Sequence, residues 1–278
     1  MDASIEHQMT EIYCFVDDYL STHPALLRWR RSPHSAPRFT DSEVITIALL
    51  QGPLGVASLK QSYRLVARNW RSAFPCLPTY TQWINRLHQL SRQVGALLSA
   101  TCGHDSLAAH LYLMDSKPIP LCHQLRHGRV RLLREDGARF GKTSKGWFFG
   151  FKLHALRHIA GRVMNIILTP ANWDDRDPAL ALNEGVDGGI TIADLGYRGP
   201  DCAQALCEDA EMLLITRADA PEQKFLLSQV RQGVETMFSQ WWHHFIDRVF
   251  SRSWNGLWNT IKLKVLHYNL VHAGVVSA

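Results

Sequence analysis

The chain has 278 residues, of which 46% are hydrophobic and 20% charged, and a net charge of +5. That length suits one large domain or two smaller ones, and the composition is that of a soluble globular protein. No apolar run reaches the roughly 18 residues of a membrane helix, "MDASIEHQMTE" lacks the basic and apolar regions of a secretory signal, and the six scattered cysteines form no CxxC pair, so a cytoplasmic protein with reduced thiols and no membrane contact is expected.

The first hundred residues read as helical, and an all-helical N-terminal domain is expected over 1–105. "FTDSEVITIALLQGPLG" places Thr40 and Glu43 at capping-box spacing. Val44, Ile47, Ala48 and Gln51 then follow the helical period, and Gly52 and Pro53 stop the helix. A second helix fits "VASLKQSYRLVARNW", with Leu59, Tyr63, Val66 and Trp70 on one side. A third fits "TYTQWINRLHQLSRQVGALLSA", with Trp83, Leu87, Leu90, Val94 and Leu97 inward and Arg86, His88 and Arg92 outward. Residues 24–71 carry eight basic and two acidic residues. Short helices with a basic outer face are what a helix-turn-helix module offers a phosphate backbone, so Arg86 and Arg92 are candidate DNA contacts; many small helical domains share the pattern.

From residue 108 the texture changes. "AHLYLMDS" predicts a first strand ending at Asp115, "WFFGFKLHAL" a second, and "GRVMNIILTPAN" a third that pairs with the second through a turn near Gly161. "DPALALNEGV" predicts a helix, "GGITIADLGY" a fourth strand ending at Asp194, "PDCAQALCEDA" a helix and "EMLLIT" a fifth strand. Residues 222–271 read as helical, with a break near 253–256. Three strands, then helix, strand, helix, strand and helix argue an α/β sheet with helices on its faces.

Charge follows the same organisation. Residues 126–157 carry nine basic and two acidic residues, and residues 172–222 reverse this with three basic and twelve acidic. A basic block beside an acidic one suggests a polyanion surface next to a carboxylate-rich region, with ordinary solvated faces as the plain alternative. Between the first two strands, "HQLRHGRVRLLREDGARFGKTSKG" predicts a mobile basic loop; Arg126, Arg129, Arg131, Arg134, Lys142 and Lys145 are its candidate DNA contacts. Lys152 and His154 share one face of the second strand, which suits either the site or a structural histidine.

Asp115 and Asp194 both close strands, and in open α/β sheets chemistry collects at the carboxyl ends of strands. Side by side they would repel, a penalty that a divalent cation removes; oxygen ligands favour magnesium or manganese over zinc. A third carboxylate, Glu235, lies in "VRQGVETMFSQ" of the last helical stretch, and Arg231 sits four residues before it on the same face, placed to orient the carboxylate or hold a phosphate. Taken singly, each carboxylate also suits a turn or a helix surface.

From "FTDSEVITIALL" through "LYLMDSKPIP", "WFFGFKLH", "LTPANWDDRDP", "IADLGYRG" and "ETMFSQ" to "RSWNGLWNTIKLKVLHYNL", the chain resembles bacterial insertion-sequence transposases of the Asp-Asp-Glu superfamily. The resemblance implies a ribonuclease-H-like mixed sheet flanked by helices over 106–278. It also implies a catalytic, metal-holding triad of Asp115, Asp194 and Glu235, and magnesium or manganese chemistry with two ions. Water would first free a 3′-hydroxyl at the element's end, and that hydroxyl would then attack target DNA. The implied partners are double-stranded DNA, the terminal inverted repeats and target DNA, and a second copy of the chain in a homodimer. Relatives often carry Tyr, Arg, Glu and Lys around the last acid. Here Arg231 and Glu235 fit, Ser228 replaces the Tyr and Trp242 the Lys, leaving Arg248, Arg252, Lys262 or Lys264 as the candidate substitutes. The competing readings are a metal-dependent nuclease without strand transfer, a catalytically inactive DNA-binding regulator, and a metallophosphohydrolase built on "GHDS".

Overall fold

A computed structural model describes residues 3–26, 37–102, 110–143, 146–186, 188–219, 222, 224–244, 246–248 and 250–277. The elements run α1 (Ala3–Thr22), α2 (Asp41–Leu49), α3 (Leu59–Asn69), α4 (Tyr80–Gln89), α5 (Ser91–Cys102), β1 (Leu111–Pro120), β2 (Arg139–Thr143), β3 (Gly146–His158) and β4 (Val163–Pro170). They continue as α6 (Ala179–Asn183), β5 (Gly189–Ala193), α7 (Pro200–Ala210), β6 (Met212–Ile215), α8 (Lys224–His243) and α9 (Trp254–His272). The chain divides into two compact units, Met1–Thr101 with Asn255–Ala278, and Cys102–Trp254. No helix among the described residues is long and apolar enough to cross a membrane.

The first unit is helical. Thr40, Ser58 and Thr79 each cap a helix in a reciprocal capping box, closed by Glu43, Gln61 and Gln82. Side-chain acceptors thereby satisfy backbone donors that a helix start leaves open. α2 is buried on nearly every side, so its own carbonyls take tertiary donors: Trp83 Nε1 donates to Val44 O at 3.2 Å and Ser62 Oγ to Ile47 O at 2.7 Å. The long third helix expected from sequence is two helices, α4 and α5, because the Leu90 N–H turns back to Leu87 O in a tightened last turn. The bend lets Leu87, Leu90, Val94 and Leu97 all reach the core.

The division also differs from a boundary at residue 105. α9 belongs to the helical unit, where Leu263, Leu266 and Leu270 join its core. Gly52 is needed beside α9, since a Cβ there would overlap the His267 ring.

The second unit is α/β, built on a mixed six-stranded sheet. The order is β2-β3-β1-β5-β6, with β4 also on β3. β1 pairs antiparallel with β3 and parallel with β5, and β5 pairs parallel with β6. β2 and β4 share one edge of β3, taking its residues 146–150 and 151–157 in turn. β2 lies inside the segment expected to be a mobile loop, so that segment is partly ordered as a strand. Its ordering has a packing cause: Phe140 stacks edge-on against Phe149 with centroids 5.1 Å apart. β1 also runs five residues beyond Asp115, because β3 continues to pair with it as far as Pro120.

Candidate active site

The geometry starts from a difference in strand length. The ladder between β1 and β5 ends at Met114 opposite Ala193, while β1 continues to Pro120 against β3 alone. Asp115 and Asp194 are the next residues on these adjacent strands, which in a sheet lie about 4.8 Å apart. Beyond them, one edge of β1 has no strand beside it in the ladder. The resulting cavity of about 810 Å³ is lined by Asp115, Ser116, Lys117 and Pro118 from β1, by Asp194, and by Arg231, Glu235, Phe238, Ser239 and Trp242 from α8. The α8 residues recur at helical spacing, so one stripe of the helix faces the cavity. α8 seats closely at Gly233, where a Cβ would stand 2.8 Å from Arg157 Nη1 and 3.2 Å from Leu113 Cδ1.

The two aspartates have different surroundings. Asp115 has 14% of its side chain exposed, and burial pushes its carboxyl up to about 6 against the pull of Lys117, the Ser116 N–H and Arg231; neighbouring Asp194 adds a smaller upward push. Ser116 N donates to Asp115 Oδ1 at 2.8 Å, and Lys117 Nζ lies 3.9 Å from Oδ2. Asp194 is 43% exposed, and two guanidiniums meet one of its oxygens: Arg231 Nη1 at 3.1 Å and Arg217 Nη2 at 3.4 Å from Oδ1. Glu235 is exposed on the same cavity.

Two aspartates on neighbouring strands and a glutamate across the cavity form a hard, all-oxygen donor set, which suits magnesium or manganese. The set is not closed: among the described residues, no three acidic, histidine or cysteine side chains are grouped to hold an ion. Asp194 is instead engaged by Arg217 and Arg231.

Behind the carboxylates lies a polar chain that links residues distant in sequence. Asp175 lines the cavity, accepts from Lys152 Nζ at 2.9 Å and receives the Ser116 hydroxyl at 3.2 Å. His154 is fully buried, with Nδ1 3.1 Å from the Tyr197 hydroxyl and Nε2 2.9 Å from Thr169 Oγ1; burial carries its pKa down to about 4. The strand-face pattern placed Lys152 and His154 together, and the structure separates their jobs: Lys152 reaches the cavity and His154 braces its floor. The glycines of "DLGYRG" make room for "WDDR", because a Cβ at Gly196 would meet Asp175 Oδ2 at 3.2 Å and one at Gly199 would meet Arg176 Nη1 at 3.2 Å.

A family model described as a transposase DDE domain matches residues 106–240, a span that contains Asp115, Asp194 and Glu235. This stretch is similar to the DDE domain of transposases. No curated protein and no solved structure matches the chain.

Around the cavity, the expected basic residues fall into distinct environments. Arg126, Arg129, Arg131, Arg134 and Lys142 are exposed; Lys142 also lines the cavity and lies over the Trp147 ring at 6.0 Å. Lys145 lies outside the described residues, as do His104 and Asp105 of "GHDS". Arg248 and, in the helical unit, Arg92 are exposed. Lys152 is held by Asp175 and by the Trp173 carbonyl at 2.6 Å. Arg86 is a correction: it does not face outward, but donates to Asp41 Oδ1 at 2.7 Å and to the Phe39 carbonyl, a structural tie inside the helical unit. Lys262 is likewise occupied, donating to Ser91 O at 2.7 Å and Ser91 Oγ at 2.8 Å. Trp242 lines the cavity.

Lys117, Ser116 and Arg217 were not singled out from sequence. The strand-end rule that selected Asp115 and Asp194 reaches Arg217 if it is extended one strand further, to β6.

Proposed function

We propose that this chain is a cytoplasmic insertion-sequence transposase that cuts DNA at the terminal inverted repeats and joins the freed end to target DNA, acting as a homodimer. The observation that carries the reading is the placement of Asp115 and Asp194 as the next residues on paired parallel strands, in one cavity with Glu235. The strand order supports a ribonuclease-H-like fold: three antiparallel strands, β4-β3-β1, continue into two parallel ones, β5-β6.

In this reading Asp115, Asp194 and Glu235 hold magnesium or manganese, up to two ions. When bound, such ions supply an activated oxygen nucleophile and stabilise the leaving oxygen. Asp115 is oriented by the Ser116 N–H on Oδ1, with Lys117 Nζ 3.9 Å from Oδ2. α8 carries Glu235 and Arg231 on one stripe, so carboxylate and cation arrive together. Phe148, Phe238 and Trp242 give the cavity apolar walls that limit water around the reacting phosphate.

DNA is held by neutralising phosphates, with Arg126, Arg129, Arg131, Arg134, Lys142 and Lys145 on one segment, Lys152 and Arg231 at the cavity, and Arg248 further along. The helical region of residues 1–105 adds DNA contacts, a reading supported by exposed Arg64, Arg68, Arg71 and Arg92. The test is cleavage and joining of a duplex carrying the element's end in Mn2+. Asp115→Asn, Asp194→Asn and Glu235→Gln should each bind the duplex and lose both reactions by at least about a hundredfold. Full cleavage by any of the three rejects that residue's assignment, and cleavage without joining by the wild-type protein reduces the function to a nuclease.

A further inference from the structure

Arg217 lies outside every motif that carries the transposase resemblance. It follows β6 in the turn "TRAD", which is closed on itself: Thr216 N and Oγ1 donate to Asp219 Oδ2 at 2.8 and 2.6 Å, and Asp219 N returns to Thr216 O at 3.0 Å. The turn therefore presents Arg217 from a fixed base at the end of the third parallel strand. Its guanidinium meets Asp194 Oδ1, the same oxygen that Arg231 meets from α8.

This arrangement is poorly saturated. Each guanidinium carries five donors, yet the two converge on a single carboxylate oxygen, and the Nε of each is buried without a partner among the described residues. Two cations this close need an anion between them. The carboxylate brings one negative charge to two positive ones and offers one oxygen here. A phosphodiester offers two non-bridging oxygens, which match two guanidinium forks better.

We propose that Arg217 and Arg231 form a two-guanidinium site that competes with a divalent cation for Asp194 and takes a DNA phosphate in exchange when Asp194 goes to the cation. The proposal rests on the reading of Asp194 as a cation ligand. Arg217 is a positioning residue in this scheme: it sets the partner of Asp194 and then grips DNA. Metal and DNA binding become cooperative, because each gives the other's ligand a partner.

Two binding measurements on the full chain test this. Mn2+ affinity is read by electron paramagnetic resonance without DNA, and affinity for an end duplex is read by fluorescence anisotropy over a range of salt in Ca2+. Arg217→Ala should bind Mn2+ about two- to fivefold more tightly, the scale of a partly exposed ion pair. The same variant should lose about one unit of the log–log salt slope for DNA. Arg217→Lys should keep the wild-type slope, since it retains the charge, and bind DNA more weakly for want of the fork. An Arg217→Ala protein that changes neither quantity, or only one of them, overturns the exchange. Asp194→Asn separates the two levels. If it binds Mn2+ as the wild type does, the cation-ligand reading falls and takes the exchange with it. If it loses Mn2+ while Arg217→Ala behaves as wild type, only the exchange falls.

Discussion

Acidification should weaken the α/β unit through His154 in particular. The imidazole is fully buried between Tyr197 and Thr169, and burial lowers its pKa from 6.5 to about 4; Asp175 pulls the value up and Lys152 pushes it down. The unfolded chain takes up the proton more readily, so the contribution is complete above pH 6.5 and is lost as pH falls toward 4. With those two pKa values the loss between pH 7 and pH 5 is about 2 kcal/mol, and at most about 3 kcal/mol at lower pH. His154→Gln keeps groups able to bond Tyr197 and Thr169 but does not titrate. Urea unfolding of both proteins at pH 7, 6 and 5 isolates the histidine, because every other titrating group is common to both. The wild-type protein should lose about 2 kcal/mol relative to the variant over that range. Parallel stability curves would refute the claim that a neutral, buried imidazole braces the cavity floor.

Three further perturbations have defined outcomes. Arg86→Ala takes a hydrogen-bonded guanidinium away from the nearly buried Asp41 and should cost about 3 kcal/mol in unfolding experiments, with no change in the salt slope of DNA binding. Arg129→Ala, on an exposed turn, should do the opposite: stability within about 0.5 kcal/mol of wild type, and a salt slope lower by about one. Gly233→Ala forces Arg157 and Leu113 to give way or α8 to lift, so it should cost about 1–3 kcal/mol and slow cleavage while DNA affinity is kept; an unchanged cleavage rate would contradict the close seating of α8.

Much of this site was legible in the sequence because the carboxylates sit where local pattern is strongest. "LYLMDS" and "TIADLGYRG" are apolar strands that stop, and parallel pairing of β1 with β5 puts their next residues together. The capping box at Thr40 was legible for the same reason: it is a contact within four residues. What sequence missed depends on long-range partners. The extension of β1 past Asp115 is decided by β3, not by "SKPIP". The outward face assigned to Arg86 failed because Asp41, 45 residues away, claims its guanidinium. α9 went to the helical unit because its apolar residues run all round the helix, a pattern that signals burial without naming the partner. Asp175 reads in sequence as an ordinary helix-start acid and Arg217 as an ordinary turn residue, and only folding brings them to the carboxylates.

The most direct test of the account is to locate Mn2+ by anomalous diffraction in crystals of the chain with an end duplex. The account predicts a peak within coordination distance of both Asp115 and Asp194, with Glu235 drawn to it and Arg217 and Arg231 on a phosphate. A peak held by other residues, or Asp194 still engaged by the two guanidiniums with duplex and Mn2+ bound, would contradict it.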